Sequence, residues 1–216
     1  SEPLTPIVPT ATPPTTIDIP SRPVEPASPL KPGSTGANLS RAIVFDIFAG
    51  VRGASVSLQG LPVEIVYTVV AEIDLFANWV AMHHFRGHIV WDVRDIDRDM
   101  VDNLLSFYED IEFILVVGGF PCKDTSLLKS GRRNLAGEQS SLFTEILRVL
   151  DIIDHCSLLP VKFVVENTQM DDQAMFDISH HLRCIPTLID GSAVSHCSRP
   201  RLFWSNFVIS GGSGMS

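Results

Sequence analysis

From Arg41 onward the chain switches between two periods of apolar and polar positions. Short runs rich in β-branched and aromatic residues predict strands: AIVFDIF (42–48), EIVYTVVAEID (64–74), HIVW (88–91), EFILVV (112–117), VKFVVE (161–166), PTLID (186–190) and RLFWSNFVI (201–209). Between them lie stretches with helical spacing: ASVSLQG (54–60), closed by Gly60, LFANWVAMHHF (75–85), DIDRDMVDNLLSFYED (95–110), SLFTEILRVLDIIDHC (141–156) and MFDISHHL (175–182). The fourth of these places Leu142, Ile146, Val149 and Ile153 on one stripe, and the third opens with Asp, as the helix dipole favours. Strands alternating with helices predict an α/β domain built on a mostly parallel sheet, with EFILVV buried on both faces.

Parallel sheets bind ligands beyond the carboxyl ends of their strands. Phe48 and Gly50 follow the first strand, Glu72 ends the second, Asp92 follows the third, Cys122 follows the fourth and Glu166 ends the fifth. Five successive strands thus deliver candidates to one rim. In FAGVRG, Gly50 and Gly53 permit close backbone approach. An acid closing strand two can accept the hydroxyls of a ribose, and Asp92 can accept from an adenine amino group. Together they suggest a nucleoside-containing cofactor; without a good GxGxxG, a dinucleotide is disfavoured. Taken singly, Glu72 is equally a solvated strand end, Asp92 a helix cap or turn, and Cys122 a small buried hydrophobe.

Composition narrows the class. A formal net charge of −9 argues against a dedicated polyanion-binding surface within these residues, though not against a nucleic-acid enzyme whose basic surface lies elsewhere. The four cysteines include no CxxC pair and the histidines no HExxH, so neither a metal site nor a disulfide framework is expected, and the compartment reads as intracellular and reducing. No apolar run reaches membrane-spanning length and no secretory h-region opens the chain. Ten of the fifteen prolines fall in residues 1–40, which therefore read as a disordered Pro/Ser/Thr-rich linker. A docking segment for a proline-reading module is the functional alternative. Residues 210–216 read as a flexible Gly/Ser end.

At GGFPCKDTS (118–126) a resemblance becomes specific: the chain resembles the catalytic domain of the cytosine-5 DNA methyltransferases. FDIFAGVRGASVSL is similar to that family's first motif, AEID and WDVRDI to its next cofactor segments, GGFPCKDTS to its Pro-Cys loop, VVENT to its Glu-Asn motif and HCSRPRLFW to its Arg-x-Arg segment. The order is the family's, over residues 42 to about 208, and the phrasing is closest to the de novo animal branch. The resemblance implies a Rossmann-like S-adenosylmethionine-dependent methyltransferase fold with helices on both faces, a catalytic domain over 41–209, and methyl transfer to cytosine C5 through a covalent cysteine adduct. It makes Cys122 the nucleophile and Glu166 the ring-activating acid, with Asn167 orienting the Pro-Cys loop, Pro121 shaping it, and Arg199 and Arg201 holding the base edge or fixing the loop. S-Adenosylmethionine would be held by Phe48 packing on adenine, by Gly50, by Glu72 and Ile73 at the ribose, and by Asp92 and Val93 at the adenine amino group. The implied partner is double-stranded DNA with a flipped cytosine, acted on in the nucleus of a eukaryote; a protein partner or homo-oligomer is compatible with it.

Several positions depart from the pattern. Arg52 stands in the first turn where a small residue is usual, poised either to hinder the methionine end of the cofactor or to point to solvent. Phe120, Lys123 and Thr168 are further changes. The family's target-recognition region and closing cofactor segment do not follow RLFW, so the 216 residues read as a fragment or truncated relative with little activity alone. Two other readings compete: a tRNA cytosine-5 methyltransferase, and a non-catalytic accessory paralogue that binds a partner methyltransferase.

Overall fold

A computed structural model describes residues 39–85, 87–121, 140–193 and 196–208. Residues 1–38 of the linker assigned to 1–40, the Cys122 segment and the 210–216 end lie outside the described residues, and Ser40 already belongs to the first strand. Seven strands, β1 (Ser40–Ile47), β2 (Val63–Ala71), β3 (His88–Val90), β4 (Phe113–Gly119), β5 (Val161–Thr168), β6 (Thr187–Asp190) and β7 (Pro200–Ser205), form one sheet in the order β3-β2-β1-β4-β5-β7-β6. β1 to β5 are parallel, while β7 runs antiparallel to both β5 and β6. The helices are α1 (Gly53–Leu58), α2 (Leu75–His84), α3 (Arg98–Phe107), α4 (Ser140–Cys156) and α5 (Asp172–Leu182). The expected α/β architecture is therefore present.

The pleat explains the core. Ile43, Phe45 and Ile47 of β1 join Val69, Ala71, Ile114, Val116, Phe163 and Val165 in one buried cluster with Ile146, Val149 and Ile153 of α4 and Ile178 and Leu182 of α5. Of the expected α4 stripe, only Leu142 stays partly exposed. Trp204, wholly buried on β7, donates from Nε1 to Ser179 Oγ at 2.9 Å and pins α5 to the sheet.

Several elements differ from the sequence reading in their bounds or faces, and three of these differences have a clear local reason. β2 stops at Ala71, because Asp74 turns from strand end to cap, accepting from the backbone N–H groups of Phe76 and Ala77. The helix expected from residue 95 begins at Arg98; Asp97 caps it through Met100 N–H, and Val93–Asp95 forms a separate 3-10 turn. On α2 the spacing is helical but the faces are reversed: the buried residues are Asn78 and Ala81, while Leu75, Phe76, Trp79 and Met82 are exposed. Asn78 faces inward because its Nδ2 donates to the Glu72 carbonyl at 2.6 Å. No helix among the described residues is long and apolar enough to cross a membrane.

Candidate cofactor and catalytic site

The turn leaving β1 alternates into the left-handed region at Phe48 (φ 57°), Gly50 (φ 51°) and Arg52 (φ 63°). For the two non-glycines this costs roughly 1–2 kcal/mol each, strain of the kind that gathers at functional sites. Glu72 holds the turn in place. One carboxylate oxygen accepts from Gly50 N–H and the other from Asp74 N–H, each at 2.7 Å. The Glu72 N–H in turn donates to Val90 O at 3.2 Å, tying in β3. Half-buried Phe48 packs against the core, and a Cβ built on Gly50 meets nothing within 4 Å, so the rim above the turn is open.

Asp92 does cap a turn: its Oδ1 accepts from Arg94 N–H at 3.0 Å and from Arg94 Nε at 3.1 Å. Val93 beside it is buried, whereas Ile73 is exposed. These residues suit a nucleoside. Each oxygen of the Glu72 carboxylate keeps a lone pair for a ribose hydroxyl, Asp92 remains half-buried at the strand end, and Phe48 supplies an aromatic surface.

Beneath the turn lies a feature the sequence did not reveal. Arg52 neither reaches the rim nor points to solvent; it is 1% exposed, and its Nη1 would lie 3.3 Å from a Cβ on Gly87. Asp46, also buried, is its electrostatic partner. Among the described residues, Oδ2 of Asp46 and Nε and Nη1 of Arg52 have no hydrogen-bond partner. Burial pushes the Asp46 carboxyl up to about 7; Arg52 pulls against this and Glu72 adds to it. The only hint in the sequence is one acid within the apolar run AIVFDIF.

A carboxyl raised in the folded state keeps a proton that the unfolded chain has already lost. Between about pH 4 and 7 stability therefore falls as pH rises, by at most about 4 kcal/mol for this group. His88, pushed down by burial, acts in the opposite sense below its ordinary value, so the comparison with a variant isolates Asp46. Urea midpoints measured at pH 5 and pH 8 should fall between the two for the wild type, and this fall should be clearly smaller in Asp46→Asn. An unchanged slope in the variant would show that Asp46 does not titrate in this window.

The second half of the site lies where β4 meets β5. Gly119 pairs with Glu166, and a Cβ on Gly119 would come within 2.8 Å of Glu166 Oε2; one on Gly118 would come within 2.8 Å of Ile47 Cγ1. Gly118 thus leaves room for Ile47, and Gly119 for the Glu166 carboxylate. Glu166 Oε1 meets Arg201 Nε of β7 at 2.7 Å. Buried Asn167 donates from Nδ2 to Phe120 O at 3.2 Å and accepts Thr168 N–H at 2.7 Å. Phe120 is buried with its ring 5.4 Å from that of Phe143, so its bulk goes into the core. Pro121 follows, exposed, and Cys122 lies outside the described residues. The Arg199 side chain is exposed; its backbone N–H donates to Asp190 Oδ1 at 2.8 Å. The N–H of Ser192, and then that bond, hold the Asp190 carboxyl down at about 2. The structure therefore brings Glu166, Asn167 and Arg201 together beside Pro121, and Phe48, Gly50, Glu72, Asp92 and Val93 onto the neighbouring rim.

Such a sheet, with an acid ending β2 and strained turns along one rim, is the Rossmann-like fold of nucleoside-dependent methyltransferases. The chain belongs to the C-5 cytosine-specific DNA methylases, whose family model matches residues 43–170. S-Adenosylmethionine is the cofactor of this family. DNA (cytosine-5)-methyltransferase DRM2 of Arabidopsis thaliana is 29% identical over 121 residues, covering 51% of this chain and 18% of that protein. Type II methyltransferase M.HgiGI of Herpetosiphon aurantiacus is 25% identical over 125 residues, covering 57% of this chain and 88% of that one. Among solved structures, the Dnmt2 methyltransferase of S. pombe superimposes with a TM-score of 0.55 at 20% identity, covering 78% of this chain and 51% of the other. A putative DNA modification methyltransferase from an E. coli prophage gives 0.53 at 20% identity, covering 77% and 46%. This chain thus spans under a fifth of the plant relative and about half of the S. pombe protein.

Proposed function

We propose that the chain carries the cofactor-binding and catalytic part of a DNA cytosine-5 methyltransferase that works through a covalent cysteine adduct. The observation that carries this reading is the cluster of Glu166, Arg201 and Asn167 against the Phe120–Pro121 segment that leads to Cys122. The Cys122 thiolate adds to C6 of a flipped cytosine, forming a C–S bond and moving an electron pair toward C5. Glu166 shares a proton with N3 and draws charge into the ring, and Arg201 holds that carboxylate in place. When bound, S-adenosylmethionine would supply the methyl group that C5 takes up, its S–CH3 bond breaking to leave S-adenosylhomocysteine. Loss of the C5 proton to a base then expels the Cys122 thiolate and restores the aromatic ring. Phe48, Gly50, Glu72, Ile73, Asp92 and Val93 would hold the cofactor. If the chain is eukaryotic, a DNA substrate would place this activity in the nucleus.

With a net charge of −9, the chain offers little to the phosphate backbone, so weak DNA binding rather than chemistry is expected to keep turnover low. The test therefore begins with the cofactor. Calorimetry should detect S-adenosylmethionine binding to the wild type, weakened at least about tenfold in Glu72→Ala, whose carboxylate both orders the turn and meets the ribose. At low salt, label from the cofactor should then pass to duplex DNA. Label passing to tRNA alone would overturn the substrate, and a chain that binds no cofactor would overturn the whole reading.

A further inference from the structure

α4 carries a charged clamp on the cofactor rim. Arg148 lies two turns into this helix, partly buried, and its guanidinium spreads over three acceptors. Nη1 donates to Ile96 O at 2.6 Å, Nη2 to Val93 O at 2.8 Å, and Nε to Glu145 Oε2, one helical turn back, at 2.5 Å. The two carbonyls belong to the 3-10 turn that Asp92 caps and to the residue just after it. Within that turn Asp95 N–H donates to Asp92 O at 2.9 Å and Ile96 N–H to Val93 O at 3.2 Å. So short a turn has few bonds of its own. Its outer side is held by Arg94 on Asp92, an exposed contact of little energy, whereas its inner side is held by Arg148.

We propose that Arg148 is a positioning residue for adenine recognition: with Glu145 fixing its orientation, it sets the Val93–Ile96 backbone and thereby the direction in which Asp92 faces the cofactor. The inference rests on the proposed cofactor role of Asp92 and adds a residue that touches neither cofactor nor base. The chemistry suits arginine in particular. A planar fork can bridge two carbonyls while its Nε meets a carboxylate, and a lysine ammonium lacks that planar fork. Glu145, only 17% exposed in its side chain, balances the charge brought inward. Without the guanidinium, both carbonyls lose a charged donor and the turn is free to shift.

The test separates positioning from general support of the fold. Binding of S-adenosylhomocysteine is compared with that of S-inosylhomocysteine, in which an oxo group replaces the 6-amino group that Asp92 would accept from. The wild type should prefer the amino ligand about tenfold or more. Arg148→Gln should weaken S-adenosylhomocysteine on the order of tenfold, leave S-inosylhomocysteine nearly unchanged, and so erase most of the preference. Arg148→Lys should recover part of it. Combined with Asp92→Ala, Arg148→Gln should add little further loss, since both act on one contact. An Arg148→Gln variant that keeps the full preference, or loses both ligands equally, would overturn the inference. A wild type that binds the amino ligand without preference would remove it together with the role of Asp92 but leave the rest of the site standing. A wild type that binds neither ligand would instead overturn the proposed function.

Discussion

Cys122→Ser should abolish methyl transfer, by roughly four orders of magnitude or more, while S-adenosylhomocysteine binding stays within about twofold. A hydroxyl is almost wholly protonated near neutral pH and is a poor nucleophile toward C6, whereas a thiol is partly ionised there. The described residues leading to position 122 favour such a role. Gly118 and Gly119 let β4 run close to Ile47 and Glu166, Phe120 is buried, and Asn167 fixes the Phe120 carbonyl. Position 122 thus follows a chain segment pinned two residues earlier, at Phe120. A duplex containing 5-fluorocytosine should trap a covalent adduct in the wild type and none in the serine variant. An adduct that persists would assign the chemistry to another thiol. Cys156 and Cys184 are poorly suited to that part, because burial pushes both thiols up, away from the thiolate.

Glu166→Gln should lower methyl transfer by about 10²–10⁴-fold, the usual range for a positioned acid or base. The swap preserves volume and leaves an oxygen for Arg201, but it removes the proton that the carboxyl would share with N3. Cofactor affinity should stay within about twofold, because the variant leaves the Glu72 rim intact. Gly119→Ala reaches the same carboxylate from the other side. Its new methyl would sit 2.8 Å from Glu166 Oε2, so the carboxylate must move and its 2.7 Å contact with Arg201 must loosen. A loss of about tenfold or more in transfer is expected, with a folded protein by thermal melting. Full activity in Glu166→Gln would remove Glu166 from the mechanism.

Much of the architecture was legible because its determinants are local. AIVFDIF, EFILVV and VKFVVE are β-rich and apolar enough to be buried strands in any context, and their alternation with helices requires parallel connections. What the pattern missed depends on partners distant in sequence. The edge of β2 and the start of α3 were misplaced by a few residues because Asp74 and Asp97 could be read as strand or helix, and only the backbone N–H groups that donate to them decide between cap and interior. α2 looked like an ordinary amphipathic helix, yet it turns Asn78 inward to the Glu72 carbonyl and leaves Phe76 and Trp79 exposed.

By itself the sequence determined the class of fold, the order of strand ends that make the rim, and the family to which the chain belongs. Those follow from periodicity and from motifs read along the chain. Tertiary structure alone decided how the rim is held. It placed Arg52 in the interior, where Asp46, buried on the preceding strand, is its electrostatic partner. It set Gly119 against Glu166 and Glu166 against Arg201, contacts between three different strands. It carried Arg148 across more than fifty residues of chain to the carbonyls beside Asp92, as the separations of 52 and 55 residues show. Such contacts are fixed by the packing of elements against one another, and no local pattern records which distant carbonyl or carboxylate a side chain will meet.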